Sequence, residues 1–147
     1  FPYESKLGTT LLLDVGALTR YVDPDLKVKG WLMLTLDAHI ATKIAALLDR
    51  HATEKGRKDA RELVALIDSG GTAAGVIEVL LSSTGGPVDD IPGHMRTTFE
   101  LLPKLAGLNQ KDRRRYASLA REWSEEAELR LRRRTDGHAG PTLGAGA

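Results

Sequence analysis

Lys43 and Asp59 are charges placed where helices should be burying apolar surface. The stretch Leu36 to Arg50 reads as an amphipathic helix with Leu36, Ile40, Ile44 and Leu47 at helical spacing. At about 100° per residue, Lys43 and Arg50 fall on the edge of that stripe, beside Leu36 and Leu47. A second helix is expected over Arg57 to Asp68, where Asp59 lines up with Leu63, Leu66 and Ile67. A carboxylate on such a row is costly unless it meets a partner, and a basic residue of the preceding helix is the natural one. The chemistry on offer is therefore electrostatic: an acid and a base held together at low exposure. Each member also has a plain structural reading. Asp59 in a first turn stabilises the positive pole of its helix, and Lys43 can run its stem along the core with its amine in water.

The elements that must hold these groups follow from the pattern of the chain. Thr9 to Val15 is β-rich between Gly8 and Gly16 and reads as a strand, which Asp14 interrupts. Asp23-Pro24-Asp25 is turn chemistry, Lys27 to Met33 supplies a second strand, and Thr35 or Asp37 caps the first helix. Two strands do not make a stable sheet, so they are expected to form the edge of a larger one. The chain opens Phe1-Pro2-Tyr3 and runs straight into strand-like sequence, so the remaining strands are expected upstream of Phe1.

From residue 36 onward the pattern is helical. His51 to Gly56 is a polar link whose glycine ends one helix and lets the chain turn into an antiparallel neighbour. Gly70-Gly71 stops the second helix, and Thr72 caps a third over Ala73 to Ser83 with Val76, Ile77, Leu80 and Leu81 inward. Gly85 to Gly93 reads as a long loop and Thr97 to Leu105 as a short helix despite Pro103. Asn109 to Asp112 starts a final helix reaching about Arg134, with Tyr116, Leu119, Ala120, Trp123, Ala127 and Leu131 in one apolar row. The Gly-rich end is expected to be disordered. The domain plan is thus a β remnant over 1–35, a four- or five-helix domain over 36–135 and a tail over 136–147, an α+β chain.

The bulk composition narrows the function classes. The 147 residues are 41% hydrophobic and 28% charged, an ordinary globular balance, and the formal charge of +1 offers no global field for nucleic acid or membrane. Without cysteine there are no disulfides, thiolate nucleophiles or Cys-ligated zinc. Apolar runs such as Val76 to Leu81 are far too short to span a bilayer, and a cytoplasmic protein is expected. His39 and His51 have no second ligand at metal spacing and read as solvated or core-edge histidines. Arg113 to Arg115 and Arg132 to Arg134 have the charge to meet RNA phosphates, but interleaved with Glu122, Glu125, Glu126 and Glu128 they read first as a solvated helix face.

Asp14 between strands, the spacing Lys43, Ala46, Arg50, and then Lys58-Asp59-x-x-Glu62 together resemble the carboxyl half of nucleotidyltransferase-like toxins of the AbiEii and MenT type from toxin–antitoxin systems. The resemblance covers roughly residues 9 to 68. It implies a polymerase-β-like core that moves a nucleotidyl group from an NTP to an acceptor such as tRNA, with Mg2+ as cofactor and a cognate antitoxin as partner. By position, it makes Asp14 a metal ligand, Lys43 and Asp59 catalytic, and Lys43, Arg50 and Lys58 nucleotide-binding. The family's Gly-Ser followed by Asp-x-Asp, which supplies most of the metal binding, is absent. Asp23-Pro24-Asp25 has the letters without the Gly-Ser, and its proline belongs to a turn. The chain is therefore expected to be inactive alone. The alternatives are a non-enzymatic helical interaction module, antitoxin-like or regulatory, that docks a partner through its last helix, and an RNA-binding helical protein.

Overall fold

The structure, a computed structural model, describes residues 11–28 and 31–146. Among them the order is α1 (Val15–Leu18), a 3-10 turn, β1 (Val22–Val28), β2 (Trp31–Leu34), α2 (Leu36–Arg50), α3 (Glu54–Asp68), α4 (Ala73–Ser83), a second 3-10 turn, α5 (Ile91–Leu105) and α6 (Gln110–Gly146). This is an α+β arrangement: five helices follow a two-stranded antiparallel sheet. The larger sheet of a polymerase-β-like core is not among the described residues.

The amino end departs most from expectation. Residues 9 and 10 lie outside the described residues, and the remainder of the expected first strand is not a strand. Leu13 makes a single antiparallel bridge to Thr84, Asp14 N–H donates to the Ser83 carbonyl at 2.6 Å, and Gly85 N–H donates to the Leu12 carbonyl at 2.9 Å. The ladder stops there because the Asp14 carboxylate accepts the Gly16 N–H at 2.9 Å and caps α1. The expected turn at Asp23-Pro24-Asp25 lies instead inside β1. The pairing shifts between Asp23 and Lys27, which gives a bulge that needs no N–H from Pro24, and Asp25 N–H bonds to the Asp23 carboxylate at 2.9 Å. Turn-forming residues are thus used within an irregular strand.

The helices are capped as their sequences dictate. The Thr35 hydroxyl accepts from Ala38 N–H at 3.3 Å to start α2, the Thr72 hydroxyl from Gly75 N–H at 3.0 Å to start α4, and the Asn109 amide oxygen from Asp112 N–H at 2.9 Å to start α6. Gly70 ends α3 at φ 121°, a conformation open to glycine and costly for other residues. The Asp37 carboxylate accepts the Thr72 N–H at 3.1 Å, so the start of α2 is tied to the start of α4.

Two helices are longer than the sequence predicts. Proline within the first turn is compatible with a helix start, so α5 begins at Ile91, six residues before the expected Thr97, and the long loop contracts around a 3-10 turn at Val88–Asp90. α6 continues past Arg134 into the segment expected as a tail, since a packed helix propagates at one backbone bond per residue.

The core lies between α2, α3, α4 and the α5–α6 pair. Ile40, Ile44 and Leu47 of α2, Leu63 of α3, Ile77 and Leu80 of α4, and Met95 and Leu102 of α5 are fully buried. The expected α6 row contributes Tyr116, Ala120, Trp123 and Ala127, with Leu119 and Leu131 packed against it. Phe99 of α5 meets Trp123 at 4.8 Å and Tyr116 at 6.0 Å between ring centroids, both tilted.

α3 also starts earlier than expected, at Glu54, so Gly56 lies in its first turn rather than in the link. A Cβ on Gly56 would lie 2.6 Å from the Arg50 carbonyl oxygen and 2.8 Å from His51 Cα. The glycine therefore lets the start of α3 touch the end of α2. Gly56→Ala is expected to destabilise the fold by about 1–3 kcal/mol, because backbone on both sides must move. Urea unfolding followed by far-UV circular dichroism checks this, and an unchanged midpoint would show that the approach is not tight.

Candidate functional site

The α2–α3 interface brings the sequence-predicted charges together. Lys43 and Arg50 are seven residues apart, two helical turns along one edge of α2, and both reach over α3. Asp59, one turn into α3, points back between them. Arg50 holds one Asp59 oxygen, Oδ2, through Nη2 at 2.8 Å and Nε at 3.1 Å, and Lys43 Nζ stands 3.5 Å from the other, Oδ1. The Asp59 side chain is 5% exposed, against 23% for Lys43 and 39% for Arg50. The carboxylate is therefore the buried centre of the cluster, and the cations are its half-open rim.

Glu62 is the member that sequence reasoning left without a role. It lies in van der Waals range of the same ammonium and makes the tightest ion pair with Lys43, while Lys58 reaches it from the solvent side at 3.8 Å. The signal was present, since Glu62 follows Asp59 by three residues and so shares its helix face. The pairing with Glu62 raises the Lys43 pKa above the ordinary lysine value, and the Lys43 ammonium holds the Glu62 carboxyl below the ordinary range.

Asp14 does not join this group. Its described contacts are with Gly16 and with Ser83 at the end of α4, so the three charges form a pair plus an outlier. Lys58, with a side chain 74% exposed, stands at the outer rim beside Glu62. His51 Nδ1 lies 3.1 Å from the Leu48 carbonyl and belongs to the end of α2. Among the described residues, no three His, Asp or Glu side chains are arranged to hold a metal ion, and Asp14 brings one carboxylate already engaged as a cap. The described residues thus do not fit a Mg2+ site.

A second charged cluster escaped the sequence reading. Arg115, expected on a solvated face, binds both oxygens of Asp68 at 2.8 and 3.2 Å and stacks 4.8 Å above the ring of Tyr116. The Tyr116 hydroxyl donates to Asp68 at 3.1 Å, and burial raises its pKa. This clasp fixes the start of α6 to the end of α3, and the Arg115 bond lowers the Asp68 pKa.

No protein-family model, curated protein or solved structure matches the chain. Among the described residues, no helix is long and apolar enough to cross a membrane.

The charge pattern sets the acid response. His94 of α5 is held below its ordinary value of 6.5 by burial, so unfolded chains take up that proton first and stability falls as pH drops below about 6.5. Glu62 and Asp68 have folded pKa values below their ordinary 4.5 and 3.8, so their contribution is full above those ordinary values and is lost as pH falls from them through the lower folded values. Urea midpoints measured from pH 7.5 to 3 should therefore fall in two stages. Glu62→Gln and Asp68→Asn should each flatten the lower stage and leave the upper one. A profile level down to pH 4.5 would contradict the burial of His94.

Proposed function

We propose that the α2–α3 cluster is the basic flank of a nucleotide site in a nucleotidyltransferase-like protein of the AbiEii and MenT type, acting on an acceptor such as tRNA and countered by an antitoxin. The observation that supports it is the convergence of Lys43 and Arg50 on Asp59, with all three charges drawn from the residues that carry the resemblance. In this reading the Lys43 ammonium and the Arg50 guanidinium meet triphosphate oxygens, and Lys58 extends the positive rim. Asp59 is a positioning residue: buried and bonded to Arg50 through two nitrogens, it fixes the direction from which the cations approach. The metal-binding carboxylates of the family belong to the Gly-Ser and Asp-x-Asp motif, which this sequence does not contain. Nucleotidyl transfer is therefore proposed for a polypeptide that supplies that motif together with this segment.

One observation favours the second reading, a helical interaction module. Leu12 and Val15, flanking the Asp14 cap, are 59% and 75% exposed, an apolar pair that a partner protein would cover.

Titration with a fluorescent nucleoside triphosphate separates the two. Lys43→Met keeps the stem that packs along α2 and removes the charge, so it should weaken binding at least tenfold while the urea midpoint stays within the range of a surface pair, about 1 kcal/mol. Arg121→Ala, outside the cluster, should bind as the parent does. In the polypeptide that carries the missing motif, Lys43→Met should abolish transfer of labelled nucleotide to tRNA. A chain that binds no nucleotide, or that binds it equally well without Lys43, leaves the interaction module as the better reading.

A further inference from the structure

A second basic surface lies between α4 and α6 and shares no residue with the α2–α3 cluster. Arg130, Arg133 and Arg134 of α6 line a groove of about 260 Å³ against the second half of α4, which contributes Glu78 and Leu81. The spacing i, i+3, i+4 puts all three guanidinium groups on one helical turn. Arg130 is half-buried and already neutralised, bonded to Glu126 through Nε at 3.0 Å and to Glu78 through Nη1 at 3.0 Å. Arg134 gives Nη1 to the Leu81 carbonyl at 3.3 Å, where it offsets the negative pole of α4 and leaves its other nitrogens to the groove. Arg133 is exposed and has no ion pair or hydrogen bond among the described residues.

With Arg130 neutralised, Arg133 and Arg134 remain as adjacent like charges that repel one another, and the single carboxylate lining the groove is used by Arg130. The cost falls if an external anion bridges Arg133 and Arg134. The lining is also selective. Beyond the arginines it offers one buried leucine and one glutamate, with no aromatic ring on which a base could stack and no neutral polar side chain to read one. Such a surface takes phosphate without regard to the base attached. We propose that this groove binds the phosphate backbone of a polynucleotide, independently of sequence, with Arg133 and Arg134 as the contacting groups and Arg130 fixing the wall behind them.

The test is fluorescence anisotropy of the 147-residue chain with a labelled oligouridylate over a salt series. Affinity should fall linearly with log salt, and Arg133→Ala should reduce the slope by about 0.7, the value for one lost contact to a single strand. Arg133→Glu should weaken binding at least tenfold, with an unchanged circular dichroism spectrum because the side chain is exposed. Arg114→Glu makes the same charge change on the same helix outside the groove and should leave affinity within twofold. Equal weakening by Arg114→Glu would overturn the proposal in favour of diffuse attraction to α6. Displacement of the RNA by inorganic phosphate at matched ionic strength would reduce the groove to a site for isolated anions, and equally tight, Arg133-dependent binding of polyglutamate would assign it to acidic proteins. Absence of salt-dependent binding would remove the site altogether.

Discussion

A buried carboxylate between two cations is the constraint on which the α2–α3 half of the molecule depends. Asp59 is almost wholly removed from water, and that position is tolerable only because Arg50 and Lys43 meet it from the neighbouring helix. The pairing in turn dictates how the helices meet. Their connection is only His51 to Thr53, and the backbones must touch at Gly56 for Arg50, the last residue of α2, to reach an acid in the second turn of α3. Such a pair specifies geometry more than it adds stability, since desolvation offsets much of the attraction. Register is what a cluster of fixed charges requires.

The opposite end of α3 is held by different chemistry to the same effect. Asp68 accepts from Arg115 and Tyr116, and Tyr116 then packs onto Phe99, which reaches Trp123. A polar clasp thus leads directly into the aromatic seam between α5 and α6, the most extensive helix pairing of the fold. The short hairpin sits outside this frame. It is tied down by Leu34 of β2 and by Tyr21 just before β1, both packed against the core, and the Tyr21 carbonyl accepts the Thr35 N–H at 2.7 Å as α2 begins.

How much of this the sequence reveals depends on how local the signal is. The Lys43–Asp59 contact was legible because helical spacing alone puts both charges on apolar edges, and α4, whose Thr72 cap and inward residues are contiguous in sequence, was legible in full. Asp14 was misread as a strand residue because the β-rich run before it hides the local bond to Gly16 that makes it a cap. Gly85 to Gly93 reads as a loop, although Pro92 is welcome in the first turn of α5, and Asp23 to Asp25 as a turn, although a bulge absorbs the same residues. Arg115 was assigned to solvent because its partner lies 47 residues away, a distance over which periodicity carries no information. The metal role expected for Asp14 has no supporting carboxylates nearby among the described residues.

The exposure gradient within the cluster decides which cation is free to do work. Arg50 is bonded twice to a buried acid, so pulling it away would leave Asp59 desolvated with only the Lys43 ammonium at 3.5 Å, a loss of several kcal/mol by the general cost of breaking such pairs, about 3–5 before discounting for partial exposure. Lys43 is held chiefly by Glu62, whose side chain is 37% exposed, and pairs of that kind contribute only about 0–1 kcal/mol. An incoming phosphate, with more charge and more acceptor oxygens than one carboxylate, can therefore displace Glu62 into water at small cost while Asp59 keeps Lys43 aimed. On the proposed reading Arg50 stays on Asp59 through Nε and Nη2 and offers only its remaining nitrogen, while Lys43 is the exchangeable contact. In the proposed nucleotide site that asymmetry divides the labour, with Arg50 holding the two helices in register and Lys43 open to exchange.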